Sequence, residues 1–328
     1  MDNVMKQSKE QRRKRKILNK SVHLLQKSVQ ESMGLYGVQI ENNVFLLGNR
    51  VYLKVYTINT DGEFDDALRQ NLVDAICETT LYRVRISSFV KRKKGPSRIT
   101  RFLTLYIEGA DYAGACEELG QESMRLIKAL ADIGIQMKEC QINTILMFIH
   151  MELLDEVKNL NIEKVLRHRE NLYTMLFPDY AEQGRCFVLN GQKRYGVAFQ
   201  GEEYAGIFYD AGRVIDKLGF SFQSCVDIQA MTEEENKLFD YALKRKYNYK
   251  YKMKDTKNIN LSFLLSLIAD NEATAIENAG KMKSVMNTPM YSYMDKHSII
   301  HSSICSLGIM DYHKMRNVQK EAASGLIV

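Results

Sequence analysis

Apolar residues recur along the chain either in alternation with polar residues or at helical spacing, and the two patterns predict separate strands and helices. In the first half, two β-rich runs flank Gly48-Asn49, which predicts a hairpin because both residues tolerate positive φ. The elements predicted after this hairpin are a helix at 64–76, strands at 81–89 and 102–107, a helix from Tyr112 to about Gly134, and a solidly apolar strand at 142–149.

Alternation is clearest in the predicted strand at 81–89. Val84 and Ile86 occupy one set of positions, and the polar residues between and beside them occupy the other set: Arg83, Arg85 and Ser87. Because successive side chains of a strand point to opposite faces, this pattern predicts a half-buried strand.

The second half repeats the same order loosely and adds one helix. Asn190-Gly191 is a second turn signal, between apolar runs at 186–189 and 195–199. The apolar run at 259–268 suits a strand, although its composition also fits a helix. The other predicted elements are a helix at 204–218, a strand at 222–228, an inserted helix at 233–246, a helix at 271–286 and a closing strand at 298–309.

The shared order of hairpin, α, β, β, α and β predicts an α+β fold of two ferredoxin-like repeats, with antiparallel sheets and helices on one face of each sheet. The predicted organisation begins with a basic, partly disordered tail or helix at 1–35. It continues with a first ferredoxin-like half at 36–152, a helical linker at 153–180 and a second ferredoxin-like half at 181–328. A chain of 328 residues is long enough for two such domains.

Composition favours an ordinary globular protein. The chain has 45% hydrophobic and 26% charged residues and only three prolines, which argues against long disordered linkers. No apolar run approaches the length of about 18 residues that spans a bilayer, and no apolar stretch follows the charged start as in a secretory signal. Six scattered cysteines predict reduced thiols rather than a disulfide framework or a zinc cluster. We therefore expect a cytoplasmic protein. A peripheral position at the inner face of the membrane is compatible with this expectation.

The positive charge is concentrated at the start of the chain. The formal net charge is +6, and residues 1–27 carry nine basic and two acidic residues, or +7, which leaves −1 for the rest. Such a segment suits an anionic surface of nucleic acid, lipid or protein. The predicted contact residues lie in the tail and in a basic loop between two strands: Arg12, Arg13, Lys14, Arg15, Lys16, Lys91, Arg92, Lys93, Lys94, Arg98 and Arg101.

A third basic segment follows the inserted helix. In an extended conformation its alternate residues share one face, and these are Tyr247, Tyr249 and Tyr251. Aromatic and basic residues in this arrangement stack bases and neutralise phosphates. The alternative is an edge strand that packs its tyrosines and uses lysine against aggregation. For the 91–101 loop, the alternative is a merely solvated loop.

Motifs of catalysis and cofactor binding do not stand out in the sequence. Gly280-Lys281 lacks the surrounding pattern of a phosphate-binding loop, and His297 and His301 lack the glutamate of a zinc-protease helix. The acidic run at 233–235 is typical of a helix start. We expect no enzyme activity, no cofactor and no metal, and the purified protein is expected neither to bind nor to hydrolyse ATP.

The order of elements resembles a known family. The runs Val44–Val55, Phe102–Ile107 and Ile142–Ile149 resemble the amino-terminal, non-motor region of TraC-like type IV secretion ATPases of conjugation systems. The similarity extends over about residues 30–315 and rests on pattern rather than on a short motif. The motor of that family carries Walker motifs, which this sequence lacks, so the resemblance implies a docking region, a split subunit or a fragment.

The resulting functional hypothesis is a non-catalytic docking or assembly module of a conjugative, type IV secretion-like transfer apparatus. Its implied partners are other proteins of that complex, with an anionic membrane surface or nucleic acid as further partners. The alternative hypothesis is a free-standing protein that binds single-stranded nucleic acid through its basic loops and tyrosines. The oligomeric state is left open by the sequence.

Overall fold

The computed structural model describes residues 2–24, 34–92, 98–154, 181–183, 186–189, 192–201, 218–246, 258–286, 290–293 and 316–328. The chain is an α+β protein, as predicted, and the strands within the described residues pair in antiparallel fashion into one sheet of 14 strands. Through residue 154 the elements are α1 (Asp2–Lys20), β1 (His23–Leu24), β2 (Leu35–Gln39), β3 (Val44–Leu47), β4 (Val51–Thr60), α2 (Asp66–Thr79), β5 (Val84–Lys91), β6 (Arg98–Glu108), α3 (Tyr112–Asp132), β7 (Ile135–Glu139) and α4 (Ile142–Leu154).

The described elements of the second half continue the same sheet. They are β8 (Ala181–Gln183), β9 (Cys186–Leu189), β10 (Gln192–Gly201), β11 (Phe222–Ala230), α5 (Glu233–Lys246), β12 (Asn258–Ala269), α6 (Glu272–Met286), β13 (Met290–Tyr293), β14 (Arg316–Gln319) and α7 (Glu321–Ser324). The predicted strands at 222–228 and 259–268 and the predicted helices at 233–246 and 271–286 are therefore confirmed.

Strand order is similar in the two halves. In the first half the sheet runs β7-β4-β6-β5, and the hairpin strand β3 pairs with the beginning of β4. In the second half it runs β13-β10-β12-β11, and β9 pairs with the beginning of β10. The predicted helix at 204–218 falls almost entirely outside the described residues, and the predicted closing strand at 298–309 falls wholly outside them. Two complete ferredoxin-like repeats, with the boundaries given above, therefore remain a prediction.

A direct strand pairing joins the two halves. Strand β5 pairs with β11 in antiparallel register from Val84↔Ile228 to Val90↔Phe222, and we call this pairing the seam. The helices α2 and α3 and one face of the sheet share a single hydrophobic core across the seam, with Leu72, Leu126, Ile86 and Val226 all buried in it. The two halves are therefore one folded body along this pairing.

The segment 316–328 makes a second connection between the halves. Strand β14 pairs with β12, and the residues after α7 then pack against the first half, where Val328 is 1% exposed. The main-chain oxygen of Val328 accepts hydrogen bonds from Ser88 Oγ at 2.8 Å and from Arg101 Nε at 2.7 Å. Lys320 Nζ lies 2.7 Å from Asp74 Oδ1 on α2.

The segment at 142–149 corrects a sequence prediction, because it is the start of helix α4 and not a strand. Its buried residues are Ile142, Ile145, Leu146 and Ile149, whose spacing of three, one and three is that of a helix face. The strand that closes the first half is instead β7, in which Ile135 and Met137 are buried and their neighbours exposed. Strand β7 begins directly after Gly134, whose φ of +80° ends α3 as the sequence predicts.

Helix α4 lies on the face of the sheet opposite α2 and α3, where the Phe148 ring packs against two strand aromatics. Its centroid is 4.8 Å from that of Phe89 and 4.9 Å from that of Phe102, both in edge-on arrangements. Edge-on aromatic pairs add stabilisation beyond the area that they bury. The sheet is thus covered on both faces at β5 and β6.

We expect Phe148→Ala to lower the free energy of unfolding by about 2 kcal/mol, less than the roughly 3–5 kcal/mol of a fully buried Phe because Phe148 is only half-buried. Denaturant unfolding followed by circular dichroism measures this loss. Thr144→Ala, at an exposed position of the same helix, is the matched control and should change stability by no more than about 0.5 kcal/mol. Equal effects of the two substitutions would contradict the placement of α4 on the sheet.

Candidate functional site

The basic amino-terminal segment forms helix α1, and one side of this helix is fixed to the start of α3. Arg15 Nε donates to Asp111 Oδ1 at 3.0 Å, and Asn19 Oδ1 accepts a hydrogen bond from the Ala113 amide at 3.0 Å. Leu18, between them, is half-buried and packs on the hydrophobic core. The helix is therefore attached through Arg15, Leu18 and Asn19.

Asp111 is the residue on which this attachment depends. It caps α3 by accepting a hydrogen bond from the Gly114 amide at 2.9 Å. That hydrogen bond and the Arg15 guanidinium lower the pKa of Asp111 below its ordinary value, so the carboxylate is charged at neutral pH. Gly114 allows the close approach, since a Cβ there would lie 2.6 Å from Arg15 Nη2.

The opposite side of α1 carries a row of exposed cations. Lys9, Arg13, Lys16 and Lys20 follow one another at intervals of four, three and four residues, which places them on one side of a helix. We call these four residues the basic face; all four are exposed. From Lys9 to Lys20 the row is about 16 Å long at 1.5 Å per residue. The arrangement can bind an anionic surface while the other side of α1 stays attached.

The structure thus divides the predicted tail contacts. Arg13 and Lys16 belong to the basic face, whereas Arg15 is turned toward Asp111 with 54% of its side chain exposed. Arg12 and Lys14 are exposed but lie outside the basic face, Arg12 toward the attached side and Lys14 on the other flank of the helix. The charge count alone treats the whole run as equivalent, because it does not show which side of a helix is attached.

The predicted basic loop is placed differently. Arg101 is engaged internally: besides its bond to Val328, its guanidinium carbon lies 4.2 Å from the centroid of the Phe64 ring. Lys91 and Arg92 are half-buried and Arg98 is exposed. Lys93 and Lys94 lie outside the described residues, as do Tyr247, Tyr249 and Tyr251.

The basic face and the loop are at opposite ends of strand β6. Helix α1 is attached at Asp111, just after the end of β6, and the loop precedes its first residue, Arg98. A strand of 11 residues is about 35 Å long. The attachment point of the tail and the loop are therefore not brought together by the fold.

A buried polar cluster lies on the seam, and sequence reasoning missed it. Arg85 holds Asp227 with two hydrogen bonds, Nε to Oδ1 and Nη2 to Oδ2, both of 2.6 Å. Ser262 Oγ donates to Asp227 Oδ2 at 2.6 Å, and Arg83 Nε lies 3.7 Å from Oδ1. The guanidinium carbon of Arg83 also lies 3.9 Å above the Tyr106 ring. These contacts connect strands of both halves.

The half-buried strand predicted at 81–89 is therefore corrected. Arg85 is 1% exposed and Ser87 is fully buried, so β5 is covered on both faces. One cause is its central position in the sheet, between β6 and β11, and another is helix α4, whose Phe148 packs on the same face of β5 at Phe89. A usable signal was Asp227 itself, because a lone carboxylate within an apolar strand requires a cationic partner.

Electrostatics keep this cluster charged. Burial alone would raise the pKa of Asp227, but Arg85, then Arg83, and the hydrogen bonds to the carboxylate lower it below the ordinary value. Burial would lower the pKa of Arg85, yet Asp227 holds it well above its usual range. The cluster is a structural contact between charged groups, and its ion pair joins two residues that stand opposite each other in the register of the seam.

Other chemistry is limited in the part of the chain that the structure describes. Within it, no three His, Cys, Asp or Glu side chains are grouped closely enough to hold a metal ion. Within the same residues, no helix combines the length and the apolar character needed to cross a membrane. The chain matches no known protein-family model, and a search of curated proteins gave no match either.

We expect Arg15→Ala to release α1 while leaving the rest of the fold intact, because Arg15 ties the helix to Asp111. Amide hydrogen exchange over residues 9–20 should become faster, whereas global stability should fall by less than about 1 kcal/mol, as for other exposed ion pairs. Arg13→Ala, an equal truncation on the basic face, should leave exchange in this helix unchanged. An identical response to both substitutions would show that Arg15 does not hold the helix.

We expect Asp227→Asn to destabilise the protein by about 3 kcal/mol at neutral pH, because it leaves Arg85 buried without its counter-charge. The pKa of Asp227 is lowered in the fold, so its contribution is present above the unfolded-state value near 4 and is lost as the pH falls through the folded value. In denaturant titrations, the difference in the free energy of unfolding between wild type and variant should be full near pH 6 and should become smaller below about pH 4. Glu277→Gln, which removes an exposed carboxylate, is the control. A difference in the free energy of unfolding that does not depend on pH would contradict this assignment.

Proposed function

We propose that this chain is a non-catalytic docking module that binds an anionic surface through the basic face of α1. One observation carries the proposal: the charges of α1 are sorted, with Arg15 used to attach the helix and with Lys9, Arg13, Lys16 and Lys20 pointing away from the attachment. A helix held in this way loses little conformational freedom when it binds, so its charges act together.

The folded body suits a scaffold. The seam and the 316–328 segment join the two halves into one body, which supports α1 from the start of α3. The resemblance to the non-motor region of TraC-like ATPases supports an assembly role in a conjugative, type IV secretion-like transfer apparatus. In such a role the folded halves bind partner proteins, and the basic face adds a salt-sensitive contact.

We expect Arg13→Glu/Lys16→Glu to weaken binding of the full chain to vesicles that contain anionic phospholipid. Each basic residue near such a surface contributes about 1 kcal/mol to binding. Loss of two therefore weakens the affinity roughly 30-fold, and reversal of their charge weakens it further. Cosedimentation at several salt concentrations measures both the affinity and its salt dependence. Lys128→Glu/Lys138→Glu makes the same charge change at exposed positions of α3 and β7 and should leave most of the binding intact.

Two outcomes would oppose the proposal. Equal losses for both pairs of substitutions would show that only the total charge matters. Binding to single-stranded DNA that withstands Arg13→Glu/Lys16→Glu but is lost on Tyr247→Ala, Tyr249→Ala and Tyr251→Ala would favour the nucleic-acid-binding alternative.

A further inference from the structure

Helix α5 is attached to the sheet by polar residues. Asn236 Oδ1 accepts a hydrogen bond from the Asn258 amide at 3.0 Å, and Asn258 Nδ2 donates to Asp240 Oδ1 at 3.1 Å. Thr232 and Glu235 form a capping box, in which the Thr232 amide donates to Glu235 Oε2 at 2.8 Å and the Glu235 amide donates to Thr232 Oγ1 at 3.3 Å. The side of α5 that carries Asn236 and Asp240 therefore faces the protein.

Two large apolar residues of α5 face outward, although an ordinary surface helix would bury such residues, whereas Phe239 is half-buried on the inward side. Leu238 is 70% exposed and Tyr241 is 64% exposed. At 100° per residue they lie about 140–200° around the helix from Asn236. The two side chains are three residues apart, so they are neighbours on the helix and form one small apolar patch rather than two isolated exposed positions.

The outward residues follow the alternating four- and three-residue spacing of a coiled-coil interface. Glu234, Leu238, Tyr241 and Arg245 are separated by four, three and four residues, so they form one stripe along the helix, and all four are exposed. We call these four residues the α5 stripe. Its acidic residue stands at the beginning, its basic residue at the end and its two apolar residues between them.

This stripe is complementary to itself when two copies run antiparallel. Under a two-fold axis between residues 239 and 240, Glu234 of one copy stands opposite Arg245 of the other, and Leu238 stands opposite Tyr241. Each pairing occurs twice, as an isologous interface requires. A parallel arrangement would instead place like charges together at each end.

We propose that α5 is a homodimer interface, in which the stripe of one chain packs antiparallel on the stripe of a second copy. The charges of the stripe identify the binding partner as a second copy of the chain, because each stripe carries both the cation and the anion that pair with the other stripe. Helix α5 has 14 residues and is about 21 Å long, so the contact is smaller than a standard stable interface. The dimer is accordingly weak and depends on concentration and salt.

Sedimentation velocity of the full chain from about 1 to 100 µM at low salt tests this, a range that brackets the micromolar dissociation constants of small interfaces. We expect a monomer–dimer equilibrium that moves toward monomer by about tenfold or more in Leu238→Asp, in Glu234→Arg and in Arg245→Glu. Glu277→Arg reverses an exposed charge on α6 and should leave the equilibrium unchanged.

Mixing the two charge variants gives the decisive result. Glu234→Arg alone opposes arginine to arginine, and Arg245→Glu alone opposes glutamate to glutamate, but a one-to-one mixture pairs opposite charges at both ends. We expect the mixture to regain dimer while neither variant alone does. A chain that stays monomeric up to about 100 µM, or a mixture that regains no dimer, would overturn the inference. Neither result bears on vesicle binding by the basic face, so the two proposals fail separately.

Discussion

The buried ion pair between Arg85 and Asp227 is the contact on which the rest of the structure depends. It lies on the seam, where β5 of the first half pairs with β11 of the second, and the two residues stand directly opposite each other in the register. A shift of β11 by one residue would turn Asp227 to the opposite face of the sheet from Arg85 and leave both charges unpaired. The pair therefore favours this register over a shifted one, whether or not it adds net stability.

The way in which the halves join leaves helices α1 and α5 at the periphery of the folded body. The hydrophobic core runs across both halves, and the residues after α7 add a second connection through Val328, Ser88 and Arg101. Two helices at the periphery are then attached by polar contacts and present other residues outward. Helix α1 is attached through Arg15 and presents cations, and α5 is attached through Asn236 and presents Leu238 and Tyr241.

Local patterns predicted most described elements and failed where tertiary context decides. The hairpin around Gly48-Asn49, the inserted helix α5 and the end of α3 at Gly134 were all predicted, although the positive φ of the hairpin turn is at Arg50 and not at Gly48 or Asn49. The run at 142–149 was misassigned because a short apolar run fits a buried strand and a buried helix equally well by composition. Arg85 was assigned to a solvent-facing position because nothing near it in sequence reveals Asp227, 142 residues away.

The candidate site was predictable in charge but not in geometry. The excess of Lys and Arg in residues 1–27 identified the segment that we propose to bind anionic surfaces, yet the separation of its attachment point from the 91–101 loop depends on the length of β6. The α5 stripe was hidden for a similar reason. Its spacing is present in the sequence, but only the contacts of Asn236 and Asp240 show that Leu238 and Tyr241 face outward.

Native-state hydrogen exchange across the seam tests the central claim, that the two halves are one body joined at β5 and β11. Amides of β5 and β11, followed at increasing denaturant, should exchange with the same free energy of opening, because each strand loses its partner when the other unfolds. Exchange of β11 and β12 at a clearly lower free energy, while β5 and β6 stay protected, would show that the halves unfold separately and would contradict the claim.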